Sequence, residues 1–240
     1  MLAVAAVFTA LVCVATMVFS VYVPATRGFF NIGESMVFLS ALLFGPIIGT
    51  FAGGVGSALS DILLGYPYYA PGTLVIKACE GCVVGVLRNR NPKFKSKIGW
   101  KAFTLVLGVI AGGLLAVIGT LYFSGESELA LGSATFSVFL PFEFWLILGS
   151  LATLSIAATG LISDPQLGWT VLSVITGGLT MVLGYFIYEM FFIGWLFGIQ
   201  AVAIAEIPVN IGQMVIGAMI ALPVAKIAWS AFPQLRKETK

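Results

Sequence analysis

Carboxylate, lysine and amide side chains occur inside segments of this chain that are otherwise apolar. An ionisable group at the centre of a bilayer costs roughly 2.5–3.5 kcal/mol on insertion scales, so each such residue marks a candidate site. A carboxylate there can accept hydrogen bonds from ligand amino or imide groups, and a lysine can contact a ligand oxygen or neutralise a carboxylate. The residues are Glu34, Asp61, Lys77, Glu80, Glu143, Glu189 and Glu206, with Asn210 and Gln213 as neutral companions.

Helical spacing puts several of these groups on common faces. Lys77 and Glu80 are three positions apart, and Tyr185 and Glu189 are four apart, so each pair shares a face. A stripe at i, i+4 and i+7 comprises Glu206, Asn210 and Gln213. Two interpretations stay open: contact with a ligand, or an internal salt bridge, such as Lys77 with Glu80 or Asp61, that only holds helices together.

Two carboxylates also have simpler explanations. Glu143 is expected to begin its helix at the interface, where a carboxylate suits the positive end of the helix dipole. Asp61 either caps the loop around Tyr66 or contacts ligand.

Amino-acid composition indicates the class of protein in which these polar groups occur. The 240 residues are 60% hydrophobic and only 9% charged, with a mean hydropathy of +1.07. Soluble domains carry about 25% charged residues, so we predict an all-α, polytopic membrane helix bundle. The absence of histidine excludes an imidazole base, and the single CxxC at Cys79 and Cys82 lacks a second pair. No metal, cofactor or nucleic-acid partner is expected.

Apolar runs predict eight helical segments in one domain. The second segment is too short to span a bilayer alone, since about 20 residues are needed. The first is expected to be a transmembrane helix, because no basic region precedes it and no cleavage site follows. The segments are residues 2–23, 36–44, 47–64, 73–87, 102–123, 142–162, 170–192 and 199–229.

Lysine and arginine predict the orientation of the bundle. Basic residues cluster in the loop at 88–101 and at the C-terminus from Lys226 onward. The positive-inside rule makes both regions cytoplasmic, and the segment count then makes the N-terminus cytoplasmic too. The buried polar groups therefore collect in the outer half of the membrane. That distribution favours a pocket open to the outside over a proton pathway through the full thickness.

The loop tyrosines and the small residues spaced four apart each have both a structural and a functional interpretation. Tyrosines in the loop at 66–69 suit an interfacial belt, or a lid over a flat ligand completed by residues 29–31. Small residues four apart suit packing within the subunit, or docking of another membrane subunit. They are Ala6 and Ala10, Gly49 and Gly53 with Gly56, and Gly108 and Gly112.

Several stretches together resemble a known family. They are FFNIGE at 29–34, ALLFGPIIG at 41–49, GGVGSALSD at 53–61, GYPYYAPGTLVIKACEG at 65–81, MVLGYF at 181–186 and EIPVNIGQ at 206–213. They look like the substrate-binding S component of energy-coupling factor (ECF) vitamin transporters, in the riboflavin-type or hydroxymethylpyrimidine-type branch. Family members usually have six helices, so residues 101–169 are expected to be an inserted hairpin, with the core at 1–100 and 170–240.

The resemblance implies a multi-pass plasma-membrane protein that captures a vitamin or vitamin precursor from outside. It implies docking through Ala6 and Ala10 on a transmembrane coupling subunit, with two ABC ATPases supplying energy. The sequence contains no Walker motif, which fits that division of labour. The candidate ligand contacts are Asn31, Glu34, Tyr68, Lys77, Glu80, Tyr185, Glu189, Glu206, Asn210 and Gln213.

Two other functions stay open from the sequence. One is a stand-alone proton-coupled carrier with Glu80 and Glu206 as proton sites. The other is a membrane enzyme, which the missing catalytic constellation disfavours, so no enzyme activity is expected. Riboflavin, a pyrimidine precursor, a pyridoxine-like compound and a queuosine-type precursor remain possible ligands.

Overall fold

The computed structural model describes residues 1–23, 28–90, 97–131, 134–162, 165–198 and 201–237. Within these ranges, eight apolar helices correspond to the eight predicted segments and confirm the all-α membrane bundle. Five are long and apolar enough to cross a bilayer, while Leu2–Val18, Glu34–Phe44 and Phe142–Ala158 form shorter apolar helices. The helices are α1 Leu2–Val18, α2 Glu34–Phe44, α3 Pro46–Leu63, α4 Ala70–Arg90, α5 Lys97–Phe123, α6 Phe142–Ile162, α7 Pro165–Tyr188, α8 Gly194–Phe197, α9 Ala201–Ala231 and α10 Pro233–Lys237.

A small sheet at one end of the bundle was not predicted. Its strands are β1 Ser20–Val23, β2 Gly28–Asn31, β3 Gly125–Leu131 and β4 Ala134–Leu140, in the order β2-β1-β3-β4. The β1–β2 hairpin pairs Ser20 with Asn31, and β1 meets β3 at Tyr22 and Ala130. The first segment therefore ends as a helix at Val18 rather than continuing to residue 23. Apolar residues of β1 continue the apolar run of α1, so composition does not mark the change.

The short helix α2 lies at the centre of the bundle. It packs against α1, α3, α4 and α9, and nine of its eleven residues are buried. Gly45 ends it with a positive φ of 81°, and the Gly45 N–H donates to the Ala41 carbonyl at 3.0 Å. Pro46 then opens α3, at a position where its missing N–H costs nothing. A helix too short to span a bilayer is tolerated at this position because other helices of the protein, rather than lipid, surround it.

Glycines allow α3 to approach its neighbours closely. A methyl group added at Gly49 would lie 2.9 Å from the Gly81 carbonyl oxygen, and one at Gly53 would lie 2.9 Å from that of Lys77. On the other face, a methyl group at Gly56 would lie 2.7 Å from the Thr9 carbonyl oxygen of α1. These predicted small-residue positions therefore pack inside the subunit.

Helices α5 and α6 form an antiparallel hairpin beside this core. They pack chiefly against each other and are joined by the β3–β4 hairpin. Gly108 and Gly112 lie in this contact, where the Thr153 hydroxyl donates to the Gly108 carbonyl at 3.0 Å. Their bounds, from Lys97 to Ile162, cover most of the predicted insertion at 101–169. That residues 101–169 are an insertion into a six-helix core stays a prediction.

The opposite end of the core is held by aromatic side chains. The Trp169 indole N–H donates to the Leu87 carbonyl at 2.5 Å, and the Arg88 guanidinium lies 4.9 Å from the Trp229 ring centroid. These contacts join α4 to α7 and α9 near the predicted cytoplasmic loop. The orientation stays a prediction, and Lys93, Lys95 and Lys240, which helped to define it, lie outside the described residues.

Candidate binding site

A polar cavity lies between the helices at the end of the bundle that carries the 66–69 loop. Its open volume, including the mouth, is about 510 Å³. Side chains reach it from α1, β2, α2, α3, α4, α7 and α9 and from the turn that follows α7. The lining residues are Thr16, Phe29, Asn31, Glu34, Ser57, Asp61, Tyr69, Thr73, Lys77, Tyr185, Glu189, Glu206, Asn210 and Gln213.

Eight of the ten predicted contacts line this cavity; Tyr68 and Glu80 do not. Six lining residues were not among the ten. Asp61 was recognised as an intramembrane carboxylate, while Phe29 and Tyr69 belong to the two predicted lid segments. The small hydroxyl residues carried no signal, since such side chains are common in membrane helices. They are Thr16, Ser57 and Thr73.

A buried ion-pair cluster forms one side of the cavity. Lys77 donates to Glu34 Oε2, and its Nζ lies 3.1 Å from Glu80 Oε2. The Lys77 Nζ is also 5.8 Å from the centroid of the Tyr185 ring. Helical spacing suggested Glu80 or Asp61 as the salt-bridge partner of Lys77. The pairing of Lys77 with Glu34 of the neighbouring helix α2 was not predicted. Glu34 Oε1 is buried with no hydrogen-bond partner among the described residues.

A chain of amides connects strand β2 to helix α9. Gln213 Oε1 accepts from Asn31 Nδ2 at 2.5 Å and from the Asn31 backbone N–H at 3.3 Å. Gln213 Nε2 in turn donates to Asn210 Oδ1 at 3.1 Å. Asn31 Oδ1 accepts from the Gly33 N–H at 2.9 Å. Two members of the predicted α9 stripe thus bond to each other, and one of them bonds directly to the strand that covers the cavity.

Two carboxylates, those of Glu189 and Glu206, occupy another part of the cavity. Helix α7 changes to a π-helical turn, Glu189–Ile193, and such turns often place functional side chains. Glu189 is 1% exposed and interacts electrostatically with Glu206 of α9, which is 5% exposed. Tyr69 reaches the same region from the loop before α4. Burial and the nearby Glu189 raise the pKa of the Tyr69 hydroxyl well above its ordinary value, so it remains a donor.

Asp61 and Tyr185 lie on the walls between these groups. The Tyr185 hydroxyl donates to Thr73 Oγ1 at 3.0 Å, joining α7 to α4. Asp61 is 4% exposed, and its Oδ2 has no hydrogen-bond partner among the described residues. The Tyr66 N–H bonds to the Asp61 backbone carbonyl at 2.7 Å. The Asp61 side chain itself lines the cavity.

Aromatic rings surround the mouth of the cavity. Phe29 of β2 lies 5.1 Å from Tyr66, and Tyr68 lies 5.3 Å from Tyr69 and 5.1 Å from Phe197, measured between ring centroids. A further tyrosine, Tyr188, donates its hydroxyl to the Tyr68 carbonyl at 2.7 Å. Tyr68 therefore belongs to the rim rather than to the lining.

The predicted docking residues Ala6 and Ala10 lie on the exposed face of α1. The buried face of that helix carries Ala5, Thr9 and Val12 instead. Docking through this face stays a prediction. Among the described residues, no group of three or more acidic, cysteine or histidine side chains is arranged to hold a metal ion.

Sequence comparison links the chain to several proteins. It is 43% identical over 108 residues to an uncharacterized protein in gap 3'region of Pyrococcus woesei, covering 45% of this chain and 67% of that protein. It is 31% identical over 87 residues to a UPF0397 protein of Streptococcus pneumoniae serotype 19F, covering 34% of this chain. The chain spans about half, 47%, of the length of that streptococcal relative.

The family model named ECF-type riboflavin transporter, S component, matches residues 1–164. The match runs through α5 and α6, so it does not set them apart as an insertion. It describes a transporter component, which is not an enzyme class. Together with the five candidate spans, it shows a multi-pass protein of the plasma membrane. The chain belongs to the ECF-type riboflavin transporter S component family.

Proposed function

We propose that this protein is the substrate-binding subunit of an ECF-type importer and captures a small vitamin-like ring compound from outside the cell. The cavity carries this proposal: it combines buried carboxylates and amides with aromatic rings, and helices enclose it. Binding sites for small molecules are typically concave, with a few placed polar groups that fix orientation.

The lining suits a flat heteroaromatic ligand. Tyrosine and phenylalanine faces at Phe29, Tyr69 and Tyr185 offer stacking surfaces, and ring edges can meet carboxylates and amides. The Asn31–Gln213 hydrogen bonds hold β2 over the cavity, so ligand exchange would require them to open. Riboflavin, named in the family description, is one member of this ligand class.

Energy would come from other subunits. We expect α1 to dock on a transmembrane coupling subunit through Ala6 and Ala10, with two ABC ATPases attached to that subunit. Both alanines are exposed, and small side chains allow close helix approach. Replacing them with leucine should abolish co-purification with the coupling subunit and leave ligand binding intact.

The stand-alone carrier is not favoured. Glu80, one of its two proton sites, is ion-paired with Lys77 and does not line the cavity. Membership of an S component family also points to a coupled importer. Uptake by proteoliposomes that contain this chain alone, driven by a pH gradient, would reverse this choice.

Ligand binding tests the proposed function directly. Purified protein should release one small ring compound on denaturation, detectable by mass spectrometry, and that compound should raise the unfolding temperature. Glu206→Gln should weaken its binding, while Glu143→Gln, the same change on the exposed start of α6, should not. A preparation with no bound compound and no thermal shift from a vitamin panel would contradict the proposal.

A further inference from the structure

Tyr188 does not line the cavity, yet it contacts one segment that lines it and borders another. Its side chain is half-buried at the end of α7. Its hydroxyl donates to the Tyr68 carbonyl at 2.7 Å, which attaches it to the loop before α4. The next residue along the chain, Glu189, lines the cavity and begins the π-helical turn. Tyr188 therefore joins the loop at 66–69 to the helix end that carries a lining carboxyl group.

A glycine allows the Tyr188 ring to approach the start of α4. A methyl group added at Gly72 would lie 2.6 Å from both Cε1 and Cζ of Tyr188, so no larger residue leaves room for the ring there. The ring also stacks on Phe192 of the π-helical turn, with 4.9 Å between ring centroids and 20° between ring planes. The hydroxyl and the ring are thus both held in place.

The loop that Tyr188 holds places Tyr69 in the cavity. Tyr69 follows Tyr68 directly, is 7% exposed and lines the cavity. The Thr73 N–H donates to the Tyr69 carbonyl at 2.9 Å, so the first turn of α4 fixes the backbone on the other side. The Tyr69 side chain interacts electrostatically with Glu189. Tyr188 is therefore attached to both partners of a contact in which it takes no part.

We propose that Tyr188 is a positioning residue of the binding site, which holds Tyr69 against Glu189 without contacting the ligand. Lining side chains keep a fixed geometry only when packing and hydrogen bonds outside the lining support them. The inference rests on the proposed function for its effect on binding. A change at Tyr188 should act on a ligand only through the two lining residues that it holds.

A spectroscopic test needs no ligand. Fluorotyrosine is incorporated at position 69 of the full-length chain in lipid nanodiscs, and its fluorine NMR signal is recorded. Glu189→Gln should shift that signal, because an amide replaces the carboxyl group beside the ring. Tyr188→Phe keeps the ring against Gly72 and removes the hydrogen bond to Tyr68, so the shift caused by Glu189→Gln should be largely lost. A role in stability alone would lower the unfolding temperature and leave this shift unchanged.

Riboflavin, followed through the quenching of its fluorescence, is the probe for binding. Tyr188→Phe should weaken its binding about threefold to tenfold, the size of one net hydrogen bond. When Tyr69→Leu is already present, Tyr188→Phe should change the affinity little, because the residue through which it acts has been removed. Ser150→Ala removes a hydroxyl–carbonyl bond on the exposed face of α6 and should change neither the affinity nor the fluorine signal.

The outcomes separate the inference from the proposed function. A fluorine shift that Tyr188→Phe removes, together with non-additive riboflavin affinities, supports the inference. No fluorine shift on Glu189→Gln, a shift that survives Tyr188→Phe, or additive affinities would overturn it and leave the proposed function intact. The first of these results needs no change at Tyr188, so it stands even where Tyr188→Phe does not fold. Where riboflavin does not bind, the fluorine shift alone decides the inference, and the additional absence of any co-purified compound overturns the proposed function.

Discussion

The helices around the cavity and the α5–α6 hairpin differ in which side chains they bury and which they expose. The cavity helices bury charged and amide groups, as Glu34, Lys77 and Asn210 illustrate. The hairpin carries apolar side chains on its exposed faces, such as Val106, Ile110 and Leu154. Its helices meet closely at glycines, against which the side chains of Thr104, Thr153 and Trp145 pack.

This difference distinguishes helices that only pack against each other from helices that surround a binding cavity. A helix pair that only packs needs small residues and close contact, which the α5–α6 pair provides at Gly108, Gly112 and Gly149. Buried charges cost free energy, and the buried charged residues among those described line the cavity or, as Glu80 does, pair with a lining residue. Four changes test this contrast, two in the cavity core, one matched across the two regions and one in the hairpin.

The largest expected effect follows from removing the buried ammonium group of Lys77. Lys77→Met leaves Glu34 and Glu80 buried without their partner, which should destabilise the protein by about 3–5 kcal/mol. Thermal unfolding in detergent, or the yield of folded protein, measures the loss. The same substitution at exposed Lys101 on α5 should be nearly neutral, and equal losses at both positions would contradict the contrast.

A matched pair of glycine substitutions comes next. Gly49→Ala places a methyl group 2.6 Å from the Ala41 Cβ and 2.9 Å from the Gly81 carbonyl oxygen, and overpacking of this kind costs about 1–3 kcal/mol. Gly113 of α5 faces open space, so Gly113→Ala should stabilise its helix by about 0.5–1 kcal/mol. Opposite signs in thermal unfolding support the assigned packing; equal signs count against it.

A smaller effect is expected where β2 is held over the cavity. Gln213→Leu removes the acceptor for two Asn31 donors and should weaken that attachment by about 1 kcal/mol. Amide hydrogen exchange of residues 28–31 should accelerate about fivefold, since each 1.4 kcal/mol is a factor of ten. Ser150→Ala, on the exposed face of α6, provides the control. Unchanged exchange in β2 would show that other contacts hold the strand.

The smallest effect is expected within the hairpin. Thr153→Val removes the hydrogen bond to the Gly108 carbonyl and keeps the shape of the side chain. Hydrogen bonds between membrane helices contribute about 0.6 kcal/mol on average, so the unfolding temperature should fall only slightly. Ligand affinity should not change, because Thr153 does not line the cavity. A large loss of affinity would show that the hairpin contributes to ligand binding.

Composition and apolar runs were sufficient to predict the class of this protein and the positions of its helices. Hydrophobic segments must be about as long as the bilayer is thick, and lipid leaves the backbone few alternatives to a helix. The sixth segment, for example, was predicted and observed at residues 142–162. The rule that intramembrane polar residues mark sites also singled out Glu189, Glu206 and Lys77, which line the cavity, and their contact with a ligand stays a prediction.

Tertiary structure alone decided which of these groups meet. Helical periodicity shows which residues share a face of one helix, but not which helices are neighbours, so the Glu34–Lys77 pair across α2 and α4 was missed. For the same reason, the sequence could not show that Tyr68 and Glu80, two of the predicted ligand contacts, do not line the cavity. Tyr68 lies among the aromatic rings of the rim, and Glu80 pairs with Lys77. The β1 strand was missed because it pairs with β2 and with β3, which is distant in sequence, and the apolar run of residues 2–23 carries no sign of that pairing. Contacts of that kind arise only when the chain has folded.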